Sequence, residues 1–328
     1  MDVAFTICTA DYLTHALALR DSFILHNPGS RFFICIPDKL DGDRIKYLDS
    51  IGIDASQYIE VAQISLSSFP ELCKRYSLIE LCSALKPFFA HYILQKLTDC
   101  ERLYYFDCDI LIFNSLTHLR NKLKDFDILL TPHILSEHSA EDRLMETQIL
   151  NAGIYNAGFF GLRKSENTAQ MLLWWQNRVT THGYINFTRG MYADQLWLNF
   201  VPLFFQRVCV ETHPGCNVAY WNLHERLIQP NGQELRVNQD YDLLFFHFSG
   251  FQLNQANLLS RYGKPIFIEA DSALALICEQ YSQTREKYRY QIPKGSANPY
   301  IKAKPIWIEF VRGWLIVLLN KSMEVLGS

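Results

Sequence analysis

The chain has 328 residues, is 49% apolar, and carries 34 acidic against 31 basic side chains, for a net charge of -3. That balance offers no whole-chain argument for nucleic-acid binding, and the length suits one large α/β domain or a domain with an appendage. Nine cysteines with no Cys-x-x-Cys pair fit neither a disulfide framework nor a zinc site, and read as small apolar residues of a reducing cytosol.

The chain enters a strand directly, Val3 to Thr9, with no basic or long apolar leader, so no secretion signal is expected. A helix over Thr14 to Leu25 follows and is stopped by Asn27-Pro28-Gly29. Arg31 to Ile36 reads as a second buried strand, then a helix near Asp41 to Ser50 and a short strand at Tyr58 to Val61. Glu80 to Leu97 is a long helical pattern in which Lys86-Pro87 marks a kink or the true start. A strand at Arg102 to Phe106, a helix near Leu116 to Leu123 and a strand at Ile128 to Leu130 complete the first 130 residues. Strands and helices in alternation imply a parallel sheet with helices on both faces, and ligands of such sheets sit at the carboxyl ends of the strands.

Beyond that point the pattern is mixed. Asn156 to Leu162 and Val208 to Val210 read as strands, Leu243 to Phe248 as another, and Asn167 to Val179 and Met191 to Phe200 as helices. No uncharged apolar run reaches 18 residues; the nearest, Ile306 to Leu319, contains Glu309 and Arg312. Residues 281–328 hold eight basic side chains (Arg285, Lys287, Arg289, Lys294, Lys302, Lys304, Arg312, Lys321) against three glutamates, a net +5 that leaves -8 on the remainder. With Tyr288, Trp307, Phe310 and Trp314 alongside, this tail suits the surface of an anionic membrane; a helix packed on the domain or an oligomer contact is the plainer reading.

The chemistry-bearing motif is Asp107-Cys108-Asp109, which follows an apolar strand and precedes a second apolar run, Ile110 to Phe113. In an extended chain the two carboxylates fall on one side with Cys108 opposite, a pair suited to a divalent cation that grips phosphates. Such a tripeptide alone is more often a solvated turn. Glycine-rich phosphate loops are absent.

These motifs together resemble the metal-dependent nucleotide-sugar glycosyltransferases of the GT-A fold, and within them glycosyltransferase family 8 and its bacterial lipopolysaccharide members. The resemblance rests on Leu85-Lys86-Pro87-Phe88-Phe89 with Asp107-Cys108-Asp109, then Asn156-Ala157-Gly158, Asp194-Gln195, and His247-Phe248-Ser249-Gly250, in order across residues 1–251. It implies a GT-A domain, a mostly parallel α/β sheet flanked by helices, taken as residues 1–271; the change of composition beyond it marks 272–328 as a helical, basic and aromatic C-terminal extension. It further implies Asp107, Asp109 and His247 as ligands of Mn2+ or Mg2+. Thr9, Ala10, Asp11 and Tyr12 would receive the nucleoside of a UDP-sugar, with Cys108 and Gly250 lending backbone to the donor site and Lys86 reaching phosphate or donor sugar. Asn156, Asp194 and Gln195 would surround the reacting sugar, Gln195 beneath the anomeric carbon, in a retaining transfer.

Plainer roles stand beside each: Thr9, Asp11 or Asp194 as helix caps, Lys86 as a solvated helix lysine, His247 as a core histidine among phenylalanines. Tyr220, Trp221, His224 and Glu225 are candidates for the acceptor site of a glycan or lipid-linked saccharide, or members of a structural loop. The family's Lys-Pro-Trp after the late glycine is replaced by Phe251-Gln252-Leu253. The expected setting is the cytosol, peripheral on the inner membrane face. Two rival readings are a catalytically inactive GT-A fold acting as a membrane-associated binding protein, and a haloacid-dehalogenase-type phosphatase. The second wants Thr or Val at the position of Leu111, a later paired aspartate, and its signature strand first in the domain.

Overall fold

The computed structural model describes residues 1–289 apart from 141, 233 and 256. In chain order, β1 (Asp2–Ile7) leads to α1 (Leu13–His26), β2 (Arg31–Ile36), α2 (Gly42–Ser50) and β3 (Tyr58–Glu60). Next come α3 (Phe69–Arg75), α4 (Leu78–Lys96), β4 (Arg102–Phe106), β5 (Ile110–Ile112), α5 (Thr117–Asp125) and β6 (Ile128–Pro132). The second half holds α6 (Arg143–Ala152), β7 (Tyr155–Arg163), α7 (Glu166–His182), β8 (Ile185–Asn186), β9 (Met191–Tyr192), α8 (Val201–Phe204) and β10 (Val208–Val210). It closes with β11 (Ile228–Asn231), β12 (Glu234–Val237), β13 (Tyr241–Asp242), β14 (Phe245–His247) and α9 (Ala273–Arg289).

A seven-stranded sheet runs β10-β6-β7-β4-β1-β2-β3. Its pairs are parallel except where β7 meets β4 and β6, so the sheet is mostly parallel and β7 alone runs against its neighbours. Side chains alternate across it: Val3, Phe5 and Tyr105 enter one core, and Ala4, Tyr104 and Phe106 the other. Burial on both faces explains why these strands read as continuous apolar runs. The first core is covered by α4 and α7, where Trp175 packs edge-on against Phe160 at 5.4 Å. The second lies under α1 and joins Phe23, Phe106, Phe159 and Phe245.

Three local expectations are corrected. Helix α4 starts at Leu78, because Ser77 and Glu80 cap it reciprocally, and it runs through Pro87 rather than beginning there. The stretch from Met191 to Phe200 is not one helix: β9 pairs with β8, Ala193 takes a left-handed φ of 46°, and a short 3-10 turn follows from Gln195 to Phe200. Asp107-Cys108-Asp109 is not extended; it turns between β4 and β5, closed by Ile110 N–H donating to the Asp107 carbonyl at 3.1 Å.

The division expected after residue 271 falls just ahead of α9, which is packed against α1 and buries Ile277, Cys278 and Tyr281. Asp21 of α1 receives Lys287 at 2.8 Å and the Tyr288 hydroxyl. The rest of the basic, aromatic tail, 290–328, lies outside the described residues. Among the described residues no helix is long and apolar enough to cross a membrane.

Candidate functional site

Strands β1 and β4 are parallel neighbours, so the residues after them, Thr9–Tyr12 and Asp107–Asp109, emerge side by side. Because β7 is antiparallel, its starting residues Asn156–Gly158 arrive at that same end, and Asp107 N–H donates to the Gly158 carbonyl at 2.8 Å. Strand β14 pairs with β5 and delivers His247 opposite Ile110. The site therefore draws on four strands at the end where open α/β sheets bind ligands.

Asp107, Asp109 and His247 each place a ligand atom within 4.8 Å of the others. His247 Nε2 stands 3.1 Å from Asp109 Oδ1 and 4.0 Å from Asp107 Oδ2. Burial opposes the charge on His247, yet the adjacent Asp109 lifts its imidazole above the ordinary value. Burial likewise pushes Asp109 up, and His247 outweighs it, holding the carboxyl below the usual range. Two carboxylates and one imidazole make a donor set that fits Mn2+ or Mg2+. The opposite ring nitrogen, Nδ1, is buried without a hydrogen-bond partner among the described residues. It lies over Gly158, where a Cβ would stand 2.5 Å from His247 Cε1 and 2.6 Å from Asn156 Oδ1. Only glycine leaves room for the ring.

Behind the trio, Lys86 is buried in α4 rather than solvated. Its ammonium lies 3.3 Å from both Asp107 Oδ1 and Asp194 Oδ2 and donates to the Ala157 carbonyl at 3.0 Å. It also sits 4.9 Å above the Tyr105 ring, whose hydroxyl donates to Asp107 Oδ1. Burial works against the Lys86 charge, but two carboxylates overcome it and raise its pKa. Asp194, buried and sharing that single cation with Asp107, is pushed up. Its side chain makes no cap bond, so the capping role does not apply.

Gln195 Oε1 accepts from Ala157 N–H at 2.9 Å and Asn156 Nδ2 at 3.2 Å, while Nε2 donates to the Ala152 carbonyl at 3.1 Å. Asn156 Oδ1 in turn accepts from Gly158 N–H and Asn217 Nδ2, both at 3.1 Å. Of the three polar residues picked from the sequence, Asn156 and Gln195 are thus one hydrogen-bonded unit fixing the start of β7, while Asp194 is held by Lys86.

At the other edge, Ala10 N–H donates to Asp38 Oδ2 at 3.2 Å and Asp11 pairs with Arg44 at 3.1 Å. Thr9 makes no side-chain cap bond. Tyr12 is 54% exposed and stacks on His15 at 5.1 Å, presenting a free aromatic surface beside the Asp107 turn. Cys108 is partly buried against the second core, leaving its backbone to the turn. Gly250 has a φ of 77°, and a Cβ there would meet Ser260 Oγ and the Tyr262 ring at 2.6 Å, so close packing is what demands a glycine.

The four acceptor candidates divide. Segment 216–222 is stitched to β14, with Val218 N–H donating to the Phe245 carbonyl and His247 N–H to the Val218 carbonyl. That seam sets Trp221 edge-on to His247 at 5.2 Å, with Tyr220 packed beside it. Glu225 is instead consumed by Leu135 N–H and Ser136 N–H and Oγ, and His224 stacks on His138 at 3.8 Å. These two pin residues 135–138. Sequence reasoning gave no site role to Gly158, Tyr105, Asn217 or His133, whose Nε2 lies 3.1 Å from Asn156 Nδ2. Only Gly158 left a signal, as the glycine of a strand with no turn to make.

Comparison with known proteins places this geometry. No protein-family model matches the chain. It is 24% identical over 279 residues to the uncharacterized protein YfnF of Bacillus subtilis (strain 168), spanning 85% of this chain and 90% of that protein. It is 26% identical over 204 residues to the uncharacterized protein YfnD of the same organism, spanning 60% of this chain and 63% of that one. Among solved structures, it superposes on the galactosyltransferase LgtC, crystallised with donor and acceptor sugar analogues, with a TM-score of 0.53 and 16% identity. That match covers 89% of this chain and all of LgtC. A mostly parallel seven-stranded sheet with its acidic turn at the carboxyl ends, superposable along the whole of LgtC, gives this chain the GT-A fold.

Proposed function

We propose that the chain is a divalent-metal-dependent glycosyltransferase. It moves a sugar from a nucleotide donor, a UDP-sugar, to a glycan or lipid-linked saccharide, with retention, in the building of a bacterial surface polysaccharide. The observation that carries this reading is the convergence of Asp107, Asp109 and His247 beside the buried Lys86–Asp194 pair. The shared fold with LgtC, captured with donor and acceptor sugar analogues, supports the substrate classes. The setting that suits a lipid-linked acceptor is the inner membrane face, met through the basic tail.

When bound, a divalent cation held by Asp107, Asp109 and His247 supplies the positive charge that a departing diphosphate requires. Tyr12 offers its exposed face to the nucleobase. Lys86, kept protonated by its two carboxylates, sets a fixed ammonium against the reacting centre, where preorganised charge is worth most. Gln195 has both acceptor positions of its amide oxygen engaged, so its role is to position the start of β7. In the overall exchange the bond from the anomeric carbon to the donor phosphate breaks, a bond to an acceptor oxygen forms, and the hydroxyl proton leaves with the diphosphate.

The test is Asp109→Ala in the full chain. The expected outcome is an intact fold, loss of the Mn2+-dependent thermal shift with UDP, and donor turnover reduced by at least ~100-fold. Undiminished turnover of every nucleotide sugar would falsify the reading.

A further inference from the structure

Helix α9, the last among the described residues, lies beyond the segment that carries the site's motifs, yet a continuous chain of contacts links it to the Asp107–Asp109 turn. Phe248 N–H donates to the Asp109 carbonyl at 2.8 Å. The Phe248 ring lies flat against Tyr281 of α9, with centroids 4.0 Å apart and planes within 3°. The Tyr281 hydroxyl is 2.7 Å from His15 Nδ1, and His15 stacks against Tyr12. One aromatic wall therefore runs from the acidic turn to the exposed tyrosine.

Arg285 stands on this wall one helical turn beyond Tyr281, its guanidinium carbon 5.3 Å from that ring's centroid. The side chain is half-buried, its Nε–H is buried without an acceptor, and no carboxylate lies within ion-pair distance of it among the described residues. Taking a guanidinium out of water without an anion is unfavourable, and its planar fork matches phosphate oxygens two at a time. His15 senses both ends of the wall. Burial first and the Arg285 charge second lower its pKa to about 3, while Asp109 acts in the opposite direction. His15 is thus neutral, and Arg285 is a cation standing on this wall.

We propose that Arg285 is a phosphate-binding residue of the donor site, so that α9 forms one flank of the pocket and its guanidinium pairs with the diphosphate of a bound nucleoside diphosphate. This rests on the glycosyltransferase reading above. It makes α9 part of the site rather than an appendage to it.

The experiment titrates the full chain, with Mn2+ present, with UDP, GDP and ADP by calorimetry and with the matching nucleosides by saturation-transfer NMR. Wild type is compared with Arg285→Gln and Arg285→Lys. Loss of a charged hydrogen-bonding group should weaken diphosphate binding roughly 10- to 100-fold in Arg285→Gln. Nucleoside binding should stay within about two-fold, since no phosphate is present for Arg285 to meet. Arg285→Lys keeps the charge and loses the fork, so it should recover part of the affinity. Parallel weakening of diphosphate and nucleoside would assign Arg285 to packing and overturn the proposal, as would unchanged diphosphate affinity. Should Arg285→Gln fail to fold, Arg285→Lys decides alone: wild-type diphosphate affinity in that variant overturns the fork. A wild-type chain that binds no nucleoside diphosphate overturns the functional reading and this inference together. Binding by wild type that Arg285→Gln retains overturns the inference only.

Discussion

A single methyl group at position 158 has nowhere to go. In Gly158→Ala the new carbon would stand 2.5 Å from His247 Cε1 and 2.6 Å from Asn156 Oδ1, so the imidazole must leave the two carboxylates or β7 must shift. Overpacking of this kind costs about 1–3 kcal/mol. The expected result is a folded protein with lowered Tm that has lost its Mn2+-dependent shift with UDP; a shift equal to wild type would show that His247 tolerates displacement. Asp107 and Asp109 were legible in the sequence because they lie two residues apart after an obvious strand. His247 was legible only through resemblance, since a histidine among phenylalanines has no local mark of its partners 138 and 140 residues earlier. The extended-chain argument for the aspartates reached the right neighbours by the wrong geometry. A turn gathers them, and it is the pairing of β5 with β14 that supplies the third group.

At the scale of the element, the 193–200 segment shows what periodicity misreads. Its apolar residues recur as in a helix, but Ala193 is left-handed and the backbone turns to bring Asp194 and Gln195 inward. Helix α7 holds that turn: Trp175 is fully buried and its Nε1–H donates to the Asp194 carbonyl at 3.1 Å. Trp175→Phe retains most of the packing and removes the donor, leaving a buried carbonyl short of a partner, at a cost of about 1–3 kcal/mol. Urea unfolding should register that loss. Donor turnover should fall further than stability alone accounts for, because the Lys86–Asp194 pair is no longer held. Equal turnover in variant and wild type would separate the turn from the site.

For the whole molecule, buried charge sets the response to acid. Asp127 is buried between Arg163, whose Nε donates at 2.8 Å, and Arg207 at 3.4 Å. Burial pushes its carboxyl up, and the Arg163 guanidinium outweighs that, holding it below the usual range. A carboxyl depressed in the fold contributes stability that is full above its unfolded value, near ~3.9, and is lost as pH falls through the folded one. His133, lowered to about 4 by burial, and His15, lowered to about 3, act earlier in the descent. The unfolded chain binds their protons below about pH 6.5 while the fold keeps them neutral, so stability falls as pH drops from there. Tm against pH should therefore decline in two stages. His133→Gln should reduce the slope of the upper stage, and Asp127→Asn should lower Tm at neutral pH and flatten the lower one. An upper slope untouched by His133→Gln would reassign it to other groups.

What the sequence determined by itself was local: continuous apolar runs that had to be strands buried on both faces, amphipathic stretches between them, and an acidic pair after the fourth such strand. Those follow from residue spacing, which acts over a few bonds. Tertiary structure decided the rest. The reversal of β7, invisible in its composition, carries Asn156, Ala157 and Gly158 to the end of the sheet where Asp107 waits. It turns Lys86 from a helix-surface lysine into a buried cation shared by two aspartates. The docking of α9 on α1 adds Tyr281 and Arg285 to the wall beside Tyr12. Each depends on which distant segments share a core, and that is settled by packing across the whole sheet rather than by any run of neighbouring residues.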